Sequence, residues 1–168
     1  MILPGFFLLL AIVTRLHPAE FPNLPRNLAI DLQRRGCTIP QVPMVDGGPH
    51  NIIKGEFAKS GQTDWAVLCS VNGASSILVF WNGSAADPAQ LEARKDDDAL
   101  QGWSNGQIVY SRKIEPVGKA YIMDHYQAYG GEKPPPIDHQ GINDIFVGKA
   151  SVVLYFHQGK WLHLTGAD

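Results

Sequence analysis

The stretch TDWAVLCSVNGASSILVFW, residues 63–81, holds two apolar runs on either side of a tight turn. In the first run Trp65, Val67, Cys69 and Val71 alternate with Ala66, Leu68 and Ser70, so an extended strand here is apolar on both faces. The second run, 75–81, is apolar on both faces too. Asn72-Gly73 between them is a strong hairpin signal, because both residues tolerate the positive φ that a two-residue turn demands. Strands of this kind lie centrally in a sheet that is covered on both sides.

Working outward, the other clear hairpin is ASVVLYFH (150–157) and KWLHLT (160–165) around Gln158-Gly159. A two-residue turn there pairs Tyr155 with Leu162 and Val153 with Leu164 on one face. It pairs Phe156 with Trp161 and Leu154 with His163 on the other, and such cross-strand pairs stabilise a sheet. Two more strands are expected over 107–114 and 118–126, joined near Pro116-Val117-Gly118. Before the first hairpin, Asn23 caps and Pro25 opens a helix over 24–35, with Leu24, Leu28, Ile30 and Leu32 as its apolar stripe and Gly36 as its stop. Residues 38–50, 82–106 and 129–141 read as loops, with KDDDALQ in the second as a solvated turn. The expected fold is a single α+β domain with a mainly antiparallel sheet and one N-terminal amphipathic helix.

Of the 168 residues, 45% are hydrophobic and 18% charged, enough for a packed core in one domain. The net charge of −2, with no basic block longer than Arg34-Arg35, leaves no electrostatic footprint for nucleic acid or an anionic membrane. FFLLLAIV (6–13) is too short to span a bilayer, which needs about 20 apolar residues, and has the length of a secretory core. Residues 1–19 are therefore read as a signal peptide ending at Ala19, and 20–168 as the mature domain. An uncleaved anchor and a buried N-terminal element are the other readings of the same residues. Export to the periplasm or the medium implies an oxidising compartment, where Cys37 and Cys69 form one disulfide. A cysteine nucleophile paired with one of the six histidines has no local signature here.

GEFAKSGQTDWAVLCS, residues 55–70, resembles the FG-GAP type of repeat found in secreted bacterial proteins and integrin-like propellers. Gly55, Phe57, Gly61 and Asp64 match the loop pattern, and the apolar strand from Trp65 matches the exit strand. The resemblance implies a strand–loop–strand unit in a small secreted bacterial protein. In the family the loop carboxylates bind calcium, whereas this chain has Ala58, Lys59 and Ser60 at those positions. Asp138, Gly141 and Asp144 of DHQGIND, 138–144, are a second partial match, so the resemblance covers about 25 residues in total, and the chain is too short for the four or more blades of a propeller.

Chemistry is sparse. DHQGIND, 138–144, spaces Asp138, Gly141 and Asp144 as D-x-x-G-x-x-D and makes Asp138 and Asp144 the candidate calcium ligands, with oxygens from Gln140 and Asn143 in support. Calcium takes six to eight oxygens, so the same residues read first as a glycine-bent turn with Asp138 capping local N–H groups. Otherwise no cofactor is expected. Asp124-His125, Asp138-His139 and His50 are the material for a hydrolase, but none falls in a known catalytic motif. Of the tryptophans, Trp65, Trp81 and Trp161 fall on strands. Trp103, in LQGWSNGQ, and Tyr126 and Tyr129, beside Gly130-Gly131, are the candidate binding aromatics. The expected function is a secreted or periplasmic non-catalytic module binding a protein or glycan. A small extracytoplasmic His/Asp hydrolase is the alternative.

Overall fold

Both predicted hairpins form, and their turns show why. Asn72 and Gly73 have φ of 51° and 78°, and Gln158 and Gly159 have 49° and 80°, the paired left-handed conformation that matches strand twist. The structure is a computed structural model that describes residues 11–167. In chain order the strands and helices begin with β1 (Ala11–Ile12), β2 (Arg15–Leu16), α1 (Arg26–Arg34), β3 (Ile39–Pro40) and β4 (Ile52–Gly55). Then come β5 (Asp64–Val71), β6 (Ala74–Phe80), β7 (Ala89–Lys95), β8 (Leu100–Gly102) and β9 (Ile108–Tyr110). The chain closes with β10 (Arg112–Val117), α2 (Lys119–Tyr129), β11 (Gly141–Phe146), β12 (Ala150–His157) and β13 (Lys160–Thr165).

Two antiparallel four-stranded sheets, β4-β5-β6-β7 and β10-β11-β12-β13, carry the fold. Their facing sides share one apolar layer, with Phe57, Ala66, Leu68, Ile77 and Val79 against Ile114, Ile142 and Leu154. The outer side of the first sheet packs Val67, Cys69, Leu78 and Phe80 on Leu28 and Leu32 of α1. The outer side of the second packs Val153, Tyr155 and Leu164 on Ile122 of α2. A helix, two sheets and a helix are thus stacked, which explains strands that are apolar on both faces. Two smaller sheets complete the fold: β1-β9-β8, in which β1 and β9 run parallel, and β2-β3.

This corrects the expected α+β fold with one N-terminal helix. The described residues are β-rich, with four mainly antiparallel sheets and two α-helices, one of them short. The error lies at 118–126, where Tyr and Ile suggested a strand. Lys119, Ala120, Met123, Gln127 and Ala128 are good helix formers, and glycines punctuate both ends. Gly118 is the N-cap, and Gly130 follows with φ 76° and an N–H donated to the Tyr126 carbonyl. Residues 82–106 are also more ordered than expected, since they contain β7 and β8. Asp96 of the KDDDALQ stretch is buried and accepts hydrogen bonds from Arg15 and Ser70, while Asp97 and Asp98 are exposed. DHQGIND is only partly a turn, because its last four residues open β11.

Cys37 and Cys69 form the disulfide, with Cα atoms 5.2 Å apart. The bond fastens the exit of α1 to β5. The loop at 56–63 is organised by Asp64, which is fully buried at the start of β5. One carboxylate oxygen accepts the N–H groups of Phe57 and Ala58, both at 2.9 Å. The other accepts Asn82 N–H and Gln62 Nε2, both at 2.8 Å. Gly55 has no room for a side chain, because a Cβ there would lie 2.6 Å from the Phe57 ring.

The signal-peptide reading falls partly on residues 1–10, outside the described residues. Residues 11–20 belong to the folded unit: β1 pairs with β9, β2 pairs with β3, and Pro18 is buried. Among the described residues no helix is long and apolar enough to cross a membrane.

Candidate functional site

Alternation on β11 divides its polar side chains between two environments. Asp144 pairs in register with Ile114 and Val152 and faces the layer between the sheets, whereas Asn143 pairs with Glu115 and Val153 and faces α2. Each face carries a cleft at the β11–β12 turn.

The cleft between the sheets, about 380 Å³, is lined by Arg94, Asp98, Arg112, Asp144, Phe146 and Val152 among others. Its polar groups satisfy one another. Arg112 donates to both Asp144 oxygens at 2.9 and 3.0 Å, to the Glu92 carbonyl, and to the Ser75 carbonyl and hydroxyl, which uses all five of its N–H bonds. Arg94 binds Glu92 at 2.8 Å and lies 3.6 Å from Asp144, and Glu92 also contacts His163 at 2.6 Å. Burial raises the Glu92 carboxyl, but the hydrogen bonds and charges of Arg94 and His163 outweigh it and hold the pKa below its usual value. This network joins the sheets.

The cleft on the α2 side, about 410 Å³, is lined by Glu115, Tyr121, Asn143, Ile145, Phe146, Lys149 and Ser151 with their neighbours. Its polar groups are not exhausted. Asn143, 2% exposed, donates Nδ2 to the Tyr121 hydroxyl at 2.8 Å, and its Oδ1 has no partner among the described residues. Tyr121 accepts that bond and keeps its own proton to donate. The Ser151 hydroxyl likewise accepts the Ala167 N–H at 2.8 Å and keeps its proton. Glu115 contacts Lys113 through one oxygen, and Lys149 sits over the Phe146 ring, 4.3 Å from its centroid. From Tyr121 an aromatic row runs along α2. His125 stacks on Tyr121 at 3.9 Å between centroids, and Tyr129 follows 5.9 Å from His125, as i, i+4 spacing on a helix requires.

The expected site residues fall as follows. Tyr129, 52% exposed, ends the aromatic row, and Tyr126 is half-buried on the same helix. Trp103, 41% exposed, sits apart in the turn between β8 and β9. Asp138 and Asp144 do not converge: Asp144 faces the guanidinium groups between the sheets, while Asp138 bonds the Tyr155 hydroxyl at 3.1 Å on the α2 side. Among the described residues no three His, Cys, Asp or Glu side chains are placed to hold a metal.

The histidines are scattered as well. The His139 side chain is 5% exposed, stacked on Tyr155 at 4.4 Å, with Nε2 3.8 Å from Asp138. Nδ1 of His125 donates to the Tyr121 carbonyl, and His50 has a buried Nε2 without a partner. Sequence reasoning missed Asn143, Glu115, Lys149 and Ser151 as a group. Only the Tyr121-His125-Tyr129 spacing signalled the site, and it is visible once 119–129 is read as a helix.

No family model, curated protein or solved structure matches the chain. The reading of the site rests on its geometry.

Proposed function

We propose that this is a secreted or periplasmic non-catalytic binding module that holds its ligand in the cleft beside α2. The observation that carries the reading is the buried Asn143 amide, whose Oδ1 lacks a partner among the described residues in a cleft where Tyr121 and Ser151 retain protons to donate. Buried polar groups are ordinarily satisfied, so a buried, unpartnered acceptor in the wall of a cleft with spare donors fits a place that a ligand completes. The Cys37–Cys69 disulfide and the absence, among the described residues, of a membrane-spanning helix are compatible with an extracellular location. The hydrolase alternative draws on the approach of His139 to Asp138. It is disfavoured because that imidazole is stacked on Tyr155 and almost fully covered.

The test is amide NMR of the oxidised protein during titration with a mixed library of saccharides, short peptides and small carboxylic acids. Shifts confined to Tyr121, Asn143, Lys149 and Ser151 are expected for at least one compound. Responses centred on Trp103, or none at the cleft, would remove the site. Ester or glycoside turnover abolished by His139→Ala would favour the hydrolase.

A further inference from the structure

We infer that the α2-side cleft takes a neutral, polyhydroxylated ligand of the pyranose class. The inference rests on that cleft being a binding site and names the chemistry it selects. A sugar hydroxyl both donates and accepts, so a vicinal diol is held best where donors and acceptors lie close together. The cleft has this mixture. The Glu115 carboxylate accepts, the Tyr121 and Ser151 hydroxyls donate, Lys149 donates from the rim, and Asn143 in the wall keeps a buried Oδ1 unpartnered among the described residues.

Charge narrows the class. Of the groups lining the cleft, only Glu115 and Lys149 are charged, and Glu115 shares one oxygen with Lys113 from outside the lining, so the cleft has no excess of carboxylates and a single cation at its rim. A cation would meet the Lys149 ammonium and find no unpaired carboxylate, and one ammonium is too little charge to select a polyanion. The aromatic groups suit a ring with apolar C–H faces: Tyr121 lies in the lining, and the Tyr121–His125–Tyr129 row leads from it along α2. A row of that kind offers further positions along α2 for an oligomer.

A peptide is a poorer fit. Strand addition needs a free sheet edge, and the floor of this cleft is formed by Asn143, Ile145 and Ser151 on β11 and β12, the two inner strands of their sheet. The volume of about 410 Å³ falls in the range of small-ligand sites.

The experiment titrates the oxidised full chain with cellotetraose, xylotetraose, mannotetraose and chitotetraose, followed by amide NMR and calorimetry. Tetragalacturonate and tetraglycine serve as the anionic and peptide comparisons. At least one neutral oligosaccharide is expected to saturate the cleft amides. Glu115→Ala, a change at the half-exposed rim, is expected to weaken it by about tenfold, the scale of one lost hydrogen bond. Asn143→Leu removes the unpartnered acceptor and the donor that holds the Tyr121 hydroxyl, and is expected to weaken it at least as much. If that variant fails to fold, Glu115→Ala and Ser151→Ala still decide. Failure of all four neutral sugars to shift the cleft at 20 mM (about the weakest binding worth the name) overturns the ligand class. Response of the same amides to tetragalacturonate or tetraglycine alone overturns it too, but leaves the binding site standing. Sugar binding that survives all three variants unchanged overturns the assignment to this cleft.

Discussion

Arg112 and Asp144 form a two-point ion pair at 2.9 and 3.0 Å, with side chains only 3% and 2% exposed. Both residues belong to the second four-stranded sheet, but the remaining Arg112 N–H groups reach Ser75 and Glu92 in the first. The guanidinium is therefore a clamp across the central layer. Removing one partner leaves the other charged and buried, which costs about 3–5 kcal/mol. Asp144→Ala and Arg112→Ala should each lower the unfolding free energy by that amount in urea titrations. The double change Arg112→Met, Asp144→Leu should recover only part of the loss, because it removes the unpaired charge but takes the Arg112 donor from the Ser75 and Glu92 acceptors.

Asp64 gives a second structural test. Its four hydrogen bonds hold the turn between β4 and β5 and tie it to Asn82 beyond β6. Asp64→Ala abandons three backbone N–H groups, and a cost of roughly 3 kcal/mol or more is expected. Asp64→Asn should cost less, since an amide oxygen can still accept from Phe57 and Ala58. Urea midpoints of the two variants measure the difference.

How much of this was legible depended on how local the cause was. The 150–165 hairpin could be read to the residue pair, because Gln158-Gly159 fixes the register and every partner lies within a few positions. The disulfide was legible because only two cysteines exist. The helix at 119–129 was not, since Tyr121, Ile122 and Tyr126 carry strand propensity and the glycine punctuation at 118 and 130 decides against them. The cleft was the least legible feature. Glu115, Tyr121, Asn143 and Ser151 come from three strands and a helix, and no spacing in the chain announces their meeting. Asp144 read as a metal ligand for the same reason: its arginine lies 32 residues away.

Tyr110 sets an alkaline limit. Its hydroxyl is fully buried between the sheets, where it meets the Ser75 hydroxyl at 3.0 Å. Burial pushes its pKa up to about 12 from the usual 10. The folded state thus favours the neutral phenol, and that stability is complete below about pH 10 and lost as pH rises through about 12. A shift of that size corresponds to roughly 2–3 kcal/mol at the alkaline end. Urea midpoints from pH 8 to 12 should fall more steeply for the wild type than for Tyr110→Phe, which is weaker at pH 8 by the lost hydrogen bond.

Calcium is expected to leave the melting curve unchanged. Two guanidinium groups lie within 3.6 Å of the Asp144 carboxylate, and Asp138 is on the other face of the sheet. Scanning calorimetry with EDTA and with millimolar calcium checks this. An upward shift with calcium that disappears in Asp138→Ala would assign the ion to the exposed Asp138 side.

The N-terminal segment provides the last test. Arg15 donates to Asp96 at 2.8 Å, and Asp96 is buried with its second oxygen unpartnered. The same segment supplies the Thr14 carbonyl to Gln41 N–H and packs Val13 and Leu16 on two different core layers. A chain beginning at Glu20 loses all of these and leaves Asp96 with the Ser70 hydroxyl as its remaining side-chain partner. The expected cost is about 2–4 kcal/mol relative to a chain beginning at Ala11. In a domain of this size that lowers the melting temperature by roughly 5–15 °C. Arg15→Ala in the longer chain isolates the ionic share, expected to be about 1–2 kcal/mol because the guanidinium is partly solvated. Equal melting of the two chains would mean that β1 and β2 add nothing to the fold. A loss reproduced in full by Arg15→Ala would place the whole effect at Asp96.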